Sequence, residues 1–165
     1  MIKIPRNTLG DTRTAERIPT INEFNDSNMQ HRIDVSHLMR YVAGRIECRA
    51  PEHDWTKTAD PYRSMFYQDM IRTMTSDFEF TSGEWAKQHY EMRERHHLNR
   101  CVPDAVDLID VIEMICDCVA AGLARSGEVR AIEIDSDVLQ EAVRNTARLL
   151  EDECVIEGGD QDEDQ

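Results

Sequence analysis

The segment "DAVDLIDVIEMICDCVAAGLA", residues 104–124, decides the fold. It is the most apolar part of the chain, introduced by Pro103 and Asp104 and broken by "SGEVRAIEID", and it reads as one long central helix. Yet Asp110, Glu113 and Asp117 stand on it at i, i+3 and i+7, an acidic stripe along one face. Burying carboxylates costs several kcal/mol unless each is paired or bound to a cation. The stripe therefore asks for partners elsewhere in the chain.

Four more helices flank it. "NDSN" from Asn25 offers capping oxygens for a helix over 29–50, with Val35, Leu38, Met39, Val42 and Ile46 on its apolar face and Pro51 ending it. "DPYRSMFYQDMIRTM" (60–74) opens with Asp60 as a cap and Pro61 at the first helical position. "TSGEWAKQHYEMRERHH" predicts a helix from about Ser82 to His97, and "DVLQEAVRNTARLLEDE" (137–153) a last one capped by Asp135 or Ser136. "VRAIEI" (129–134) suits at most a short strand. The expectation is an all-α protein of about five main helices: an N-terminal arm over 1–24, a helical domain over 25–153, and an acidic tail over 154–165 ending in "GGDQDEDQ".

Composition narrows the function. The 165 residues carry a formal charge of −14, which opposes binding along a nucleic-acid duplex. No apolar run approaches the roughly 20 residues that cross a bilayer, and the first residues lack the apolar core of a signal peptide, so a soluble cytoplasmic protein is expected. Five cysteines without a CxxC pair read as reduced thiols. A homo-oligomer is compatible with all of this.

The partners of the acidic stripe are imidazoles. All six histidines fall between positions 31 and 97. His31 shares the inward face of the first helix with Val35 and Leu38, whereas His37 points elsewhere. His53 and Asp54 are adjacent in "EHDWTK" (52–57), at a junction between helices. His89 and His96 are seven residues apart, two turns of a helix, with His97 about a quarter-turn around. In order, His31, His53–Asp54, His89, His96 or His97, and then Asp117 supply enough donors for two divalent metals, with Asp54 bridging them.

This order resembles the HD superfamily of metal-dependent phosphohydrolases, an all-helical fold with the pattern H…HD…D. "HDWTK" is similar to the HD-x-x-K form of its cyclic-dinucleotide phosphodiesterases, and "ICDCVAA" to the segment carrying the last aspartate. A closer resemblance, over about residues 28–150, is to an uncharacterised HD-like family common in phage genomes (DUF5662-like). It rests on His31 and Val35, "RAPEHDWTK", "HYEMRERHH", "LIDVIEMICD" with "AA", and "VRNT" at 143–146. The chain departs from that family at Leu98, Asn99 and Arg100, and at Cys118, where a tryptophan is expected.

The resemblance implies a site of two divalent transition-metal ions (Mn, Fe, Co, Ni or Zn) on His31, His53, Asp54, His89, His96 and Asp117, with Asp110 in reserve. It implies a phosphohydrolase acting on a small phosphorylated nucleotide. Lys57 would then stabilise phosphate charge, His97, His96 or Glu113 would protonate the leaving oxygen, and Arg93, Arg95 and Arg100 would be candidates for phosphate recognition. Two other classes share the ligand set: an HD-type di-iron oxygenase, and a non-catalytic phage accessory protein braced by its metals.

Overall fold

A computed structural model describes residues 1–7, 9, 15 and 17–157. The expected acidic end, residues 158–165, lies outside the described residues. The structure is mostly helical, as expected: α1 (Ile21–Arg49), α2 (Tyr62–Thr75), α3 (Glu84–Lys87, continued by a π-helical turn over Gln88–Arg93), α4 (Leu108–Ser126) and α5 (Ser136–Asp152). Two short strands, β1 (Ile2–Pro5) and β2 (Cys154–Glu157), pair in parallel with Ile2 opposite Cys154. They draw on the expected arm and tail, and four-residue strands are too short to show a period in the sequence. Among the described residues, no helix is long and apolar enough to cross a membrane.

Two compact units are present, residues 1–44 with 148–165, and residues 45–147. In the first, α1 begins eight residues earlier than its predicted start at Met29. Thr20 and Glu23 explain why. The Glu23 carboxylate accepts from Thr20 N at 2.8 Å, and Thr20 Oγ1 accepts from Glu23 N at 3.3 Å, a reciprocal cap that leaves "NDSN" inside the helix.

In the second unit, Leu98, Val106, Val111, Met114 and Ala142 form the buried core. Ile132 and Ile134 pack against it from "VRAIEI", which runs without ladder partners and forms no strand. The helix ends follow local chemistry. Asp107 caps α4 by accepting from Ile109 N and Asp110 N, and Asp135, rather than Ser136, accepts from Asp137 N and Val138 N at the start of α5. Gly127 closes α4 in the left-handed region, φ 76°. Pro61 sits just before α2, one place earlier than predicted, and the Asp60 carboxylate accepts from Ser64 Oγ and Arg63.

"VRNT" anchors the central helix. Asn145 Nδ2 donates to Val106 O at 2.9 Å, and Thr146 Oγ1 accepts from Leu108 N at 2.9 Å, so α5 fixes the first turn of α4. Asp69 on α2 does the same for α3, accepting from Trp85 N at 3.2 Å. A Cβ at Gly83 would fall 2.2 Å from Asp69 Oδ2, so only glycine lets that carboxylate approach.

The third helix departs most from expectation. Its α-helical part is one turn long, the π-helical turn follows, and the chain is extended from Glu94. His96 and His97 therefore leave the helix that carries His89. Seven-residue spacing does not put His89 and His96 on one face; the π turn and the extended exit bring them together instead. π-helical turns are often found at functional sites.

Candidate metal centre

Asp54 lies at the middle of the second unit's polar cluster because of its backbone. It takes φ 55° and ψ 29°, the left-handed region that few non-glycine residues occupy. One short 3₁₀ turn ends at Glu52 and another begins at Trp55, so His53 and Asp54 occupy a sharp corner between them. At that corner successive side chains converge, which accounts for the adjacent histidine and aspartate. His53 Nε2 is 3.4 Å from Asp54 Oδ2. His89 Nε2 and His96 Nε2 approach the other oxygen, Oδ1, at 3.4 and 3.8 Å.

Among the described residues, three groups of donors have all their ligand atoms within 4.8 Å of one another: His53–Asp54–His96, Asp54–His89–His97, and His96–His97–Asp117. Two donors each about 2.1 Å from a tetrahedral ion stand roughly 3.4 Å apart, so these spacings suit a cation. Some of the atoms involved also lack other partners. Asp54 Oδ1 and both ring nitrogens of His96 are buried without a hydrogen bond. His96 Nδ1 is 3.0 Å from Glu113 Oε1 but off the line a hydrogen bond needs. A buried, unsatisfied carboxylate oxygen costs about 1–3 kcal/mol or more. These orphaned atoms are what a divalent ion would satisfy.

The surrounding groups aim the imidazoles. Thr56 Oγ1 has one proton and donates it to Glu94 Oε1 at 2.7 Å, because a carboxylate can only accept. It must then accept from His89 Nδ1–H, also at 2.7 Å, which leaves His89 Nε2 as a bare lone pair facing the cluster. His97 Nε2 lies 2.8 Å from it and must donate in the ion-free protein. By the same reasoning His53 Nδ1–H donates to Glu113 Oε1 at 3.0 Å, turning its own Nε2 inward. Such outer partners fix the tautomer and orientation of metal-binding histidines. Trp85, almost fully buried, stacks on His89 with ring centroids 4.3 Å apart.

The acidic stripe of α4 divides into three roles. Asp110 is buried and accepts from Arg49 Nη1, from Arg95 Nε and Nη2, and from Asp107 N. Two guanidiniums already neutralise it, so it is not a reserve ligand; it met the cost of burial through ion pairs. Glu113 orients His53 and is itself held by Arg49 Nη1 at 3.3 Å. Only Asp117 joins a ligand group, with Oδ1 3.7 Å from His53 Nε2.

Other expected residues fall differently. His31 is exposed on α1 in the first unit and belongs to none of the three groups, because the inward face inferred from Val35 and Leu38 leaves Val35 exposed too. His37 is likewise exposed. His96 and His97, held as alternatives, both belong to ligand groups. Lys57 donates to Asp54 Oδ2. Arg95 is committed to Asp110, while the Arg93 and Arg100 guanidiniums lie over Tyr62 and Tyr90. Sequence reasoning missed Thr56, Glu94 and Arg49, whose only signal was polar residues inside or beside the histidine motifs.

Electrostatics revise two expected proton donors. Burial pushes His97 down to about 3, helped by the charge on His96 and His89. It is a neutral imidazole at neutral pH. Burial raises Glu113, but the adjacent His96 ring, the bond from His53 and the Arg49 guanidinium outweigh it and hold the group below the usual carboxylate range. Glu113 is therefore ionised, a base and an orienting group. For His96 burial is again opposed, and Glu113 wins, raising its proton affinity. Asp54 stays ionised because the Lys57 bond outweighs its burial.

A pH dependence follows. His89 falls from 6.5 to about 4 on folding, mainly through burial. Between those values the unfolded chain binds the extra proton, so stability rises with pH there, and His97 adds in the same direction. The ion-free protein is expected to be fully stable with respect to these groups above pH 6.5 and to weaken progressively toward pH 4. Urea unfolding in chelator at several pH values measures this. A flat profile from neutrality to about pH 5 would remove the buried neutral histidines from the account.

The family profile of DUF5662 matches residues 20–154. The chain belongs to this family. DUF5662 is described as a family of unknown function, so membership assigns no activity. No curated protein matches the chain, and no solved structure does. Every member of the three ligand groups lies within the matched DUF5662 segment.

Proposed function

We propose that the chain is an HD-type metal-dependent phosphohydrolase acting on a small phosphorylated nucleotide. The observation that carries this reading is Asp54, shared by two ligand groups and with a buried oxygen that has no hydrogen-bond partner. His53, Asp54 and His96 would hold one divalent ion, and Asp54, His89 and His97 a second, with Asp117 as a further donor beside His96 and His97. When bound, such ions supply Lewis-acid charge to a phosphoryl oxygen and acidify a water molecule.

The chain's own residues do the rest. Glu113 and the Glu94–Thr56 pair keep the imidazole Nε2 atoms of His53 and His89 turned toward Asp54. Lys57 places an ammonium at the Asp54 carboxylate, where charge would build on the phosphate. The net charge of −14 disfavours a long polyanion, which leaves one small phosphorylated ligand as the substrate.

The test is a panel of nucleoside mono- and triphosphates and cyclic nucleotides, run with manganese, cobalt, nickel, iron or zinc restored one at a time. Release of phosphate or nucleotide, seen by chromatography, is expected with at least one metal. Cleavage of long DNA or RNA alone would overturn the reading. So would oxygen consumption by the iron-loaded protein with no phosphate release, which would indicate the oxygenase chemistry the same ligands allow.

A further inference from the structure

A cavity of about 270 Å³ adjoins the centre within the second unit. Ile46 at the end of α1 and Ile109, Ile112 and Ala120 along α4 give it an aliphatic lining. His53 and Asp117, both members of the ligand groups, also line it, so the cavity opens onto that edge of the cluster. Its charge is unsuited to anions. Arg49 is the one guanidinium or ammonium on the described walls, and its Nη1 is already held by Asp110 and Glu113. Glu113 and Asp117 add two carboxylates to the lining. Ligand sites combine apolar walls with a few polar groups that fix orientation, and this cavity has its polar groups where it meets the cluster.

We infer that this cavity receives the uncharged organic group of the substrate, while the substrate's phosphoryl group meets the cluster beside His53 and Asp117. The part of the nucleotide that enters is then its base, a compact, uncharged ring system, and no second phosphoryl group enters the cavity. A triphosphate chain directed along these walls would face Glu113 and Asp117 with no free cation to offset them. The inference rests on the phosphohydrolase reading for its phosphoryl half. The apolar half stands on the cavity alone.

The experiment is calorimetric titration of the full-length, manganese-loaded protein with phenyl phosphate and with inorganic phosphate. Phenyl phosphate is expected to bind tighter by about tenfold or more, the scale for adding methylene-sized apolar contacts. Ala120→Phe, on the exposed side of α4, narrows the cavity and should erase that advantage while leaving metal content and inorganic phosphate binding unchanged. Ile112→Ala widens it and should favour 1-naphthyl phosphate over phenyl phosphate relative to wild type.

Equal affinity for the two phosphates in the wild type overturns the inference, as does an advantage that survives Ala120→Phe. If neither phosphate binds, the phosphoryl reading fails, and titration with benzyl alcohol then judges the cavity by itself. Binding that Ala120→Phe abolishes supports the cavity as an organic-group site, and absence of binding overturns it.

Discussion

Asp54→Ala is expected to abolish divalent metal uptake, whereas the wild type should carry about two ions per chain. Asp54 is the one carboxylate shared by the His53–Asp54–His96 and Asp54–His89–His97 groups, so its loss removes a donor from both at once. The four histidines left around the gap would bring only neutral or cationic rings together. Metal analysis after gel filtration reads the stoichiometry. The melting temperature should rise with added metal in the wild type and stay fixed in the variant, since an ion that binds only the folded chain stabilises it by mass action.

Two further substitutions separate charge from backbone strain. Asp54→Asn keeps the size of the side chain and one oxygen but removes the charge, so weaker uptake is expected with little change in the ion-free melting temperature. Asp54→Gly suits the left-handed backbone at φ 55°, where alanine carries a steric cost of about 1 kcal/mol or more. The glycine variant should therefore be more stable than the alanine variant while binding metal equally poorly. An Asp54→Ala protein that retains two ions would rule out Asp54 as the bridge.

What was legible in the sequence divides along the range of the interactions. The central helix could be read because its apolar run and its break near Gly127 are local, although it starts at Leu108, capped by Asp107, and not at Asp104 as expected. The His53–Asp54 corner was legible as chemistry, since adjacent donors make sense only where the chain turns sharply. The start of α1 was present as Thr20-x-x-Glu23 but was obscured by "NDSN", whose side chains look equally suited to capping. Asp110 and Asp117 could not be told apart by helical phase. What distinguishes them is the arrival of Arg49 and Arg95, 61 and 15 residues away in the chain, at Asp110 and not at Asp117.

The third helix shows the same limit from the other side. Its sequence keeps an α-helical spacing through His96, and nothing local signals a π turn at Gln88. The stacking of Trp85 on His89 and the bond from His89 to Thr56 are tertiary, and they hold the histidine in a place that periodicity alone does not give. His31 shows a related limit, since a face that looks apolar in sequence is not thereby buried, and Val35 and Met39 are exposed alongside it on α1.

Lys57→Ala is expected to lower turnover by roughly 100-fold or more, the scale for losing one electrostatic stabiliser at a reacting phosphate. The residue donates to Asp54 Oδ2, and its side chain is about one-third exposed, so the ammonium borders both the cluster and solvent. In the ion-free protein it is the nearest compensation for the Asp54 charge, which it holds ionised against burial. Removing it therefore acts on the two readouts in opposite directions. Metal affinity should hold or increase, because a competing cation has gone from Asp54, while turnover falls because the phosphate loses a point charge. Lys57→Arg tests shape as well as charge: a planar guanidinium cannot replace a compact ammonium in the same space, so only partial recovery is expected. Turnover should depend modestly on salt, as suits one small ligand and not a polyanion track. A fully active Lys57→Ala protein would dismiss Lys57 from the chemistry, and one that loses its metals would make it a structural support of Asp54 instead.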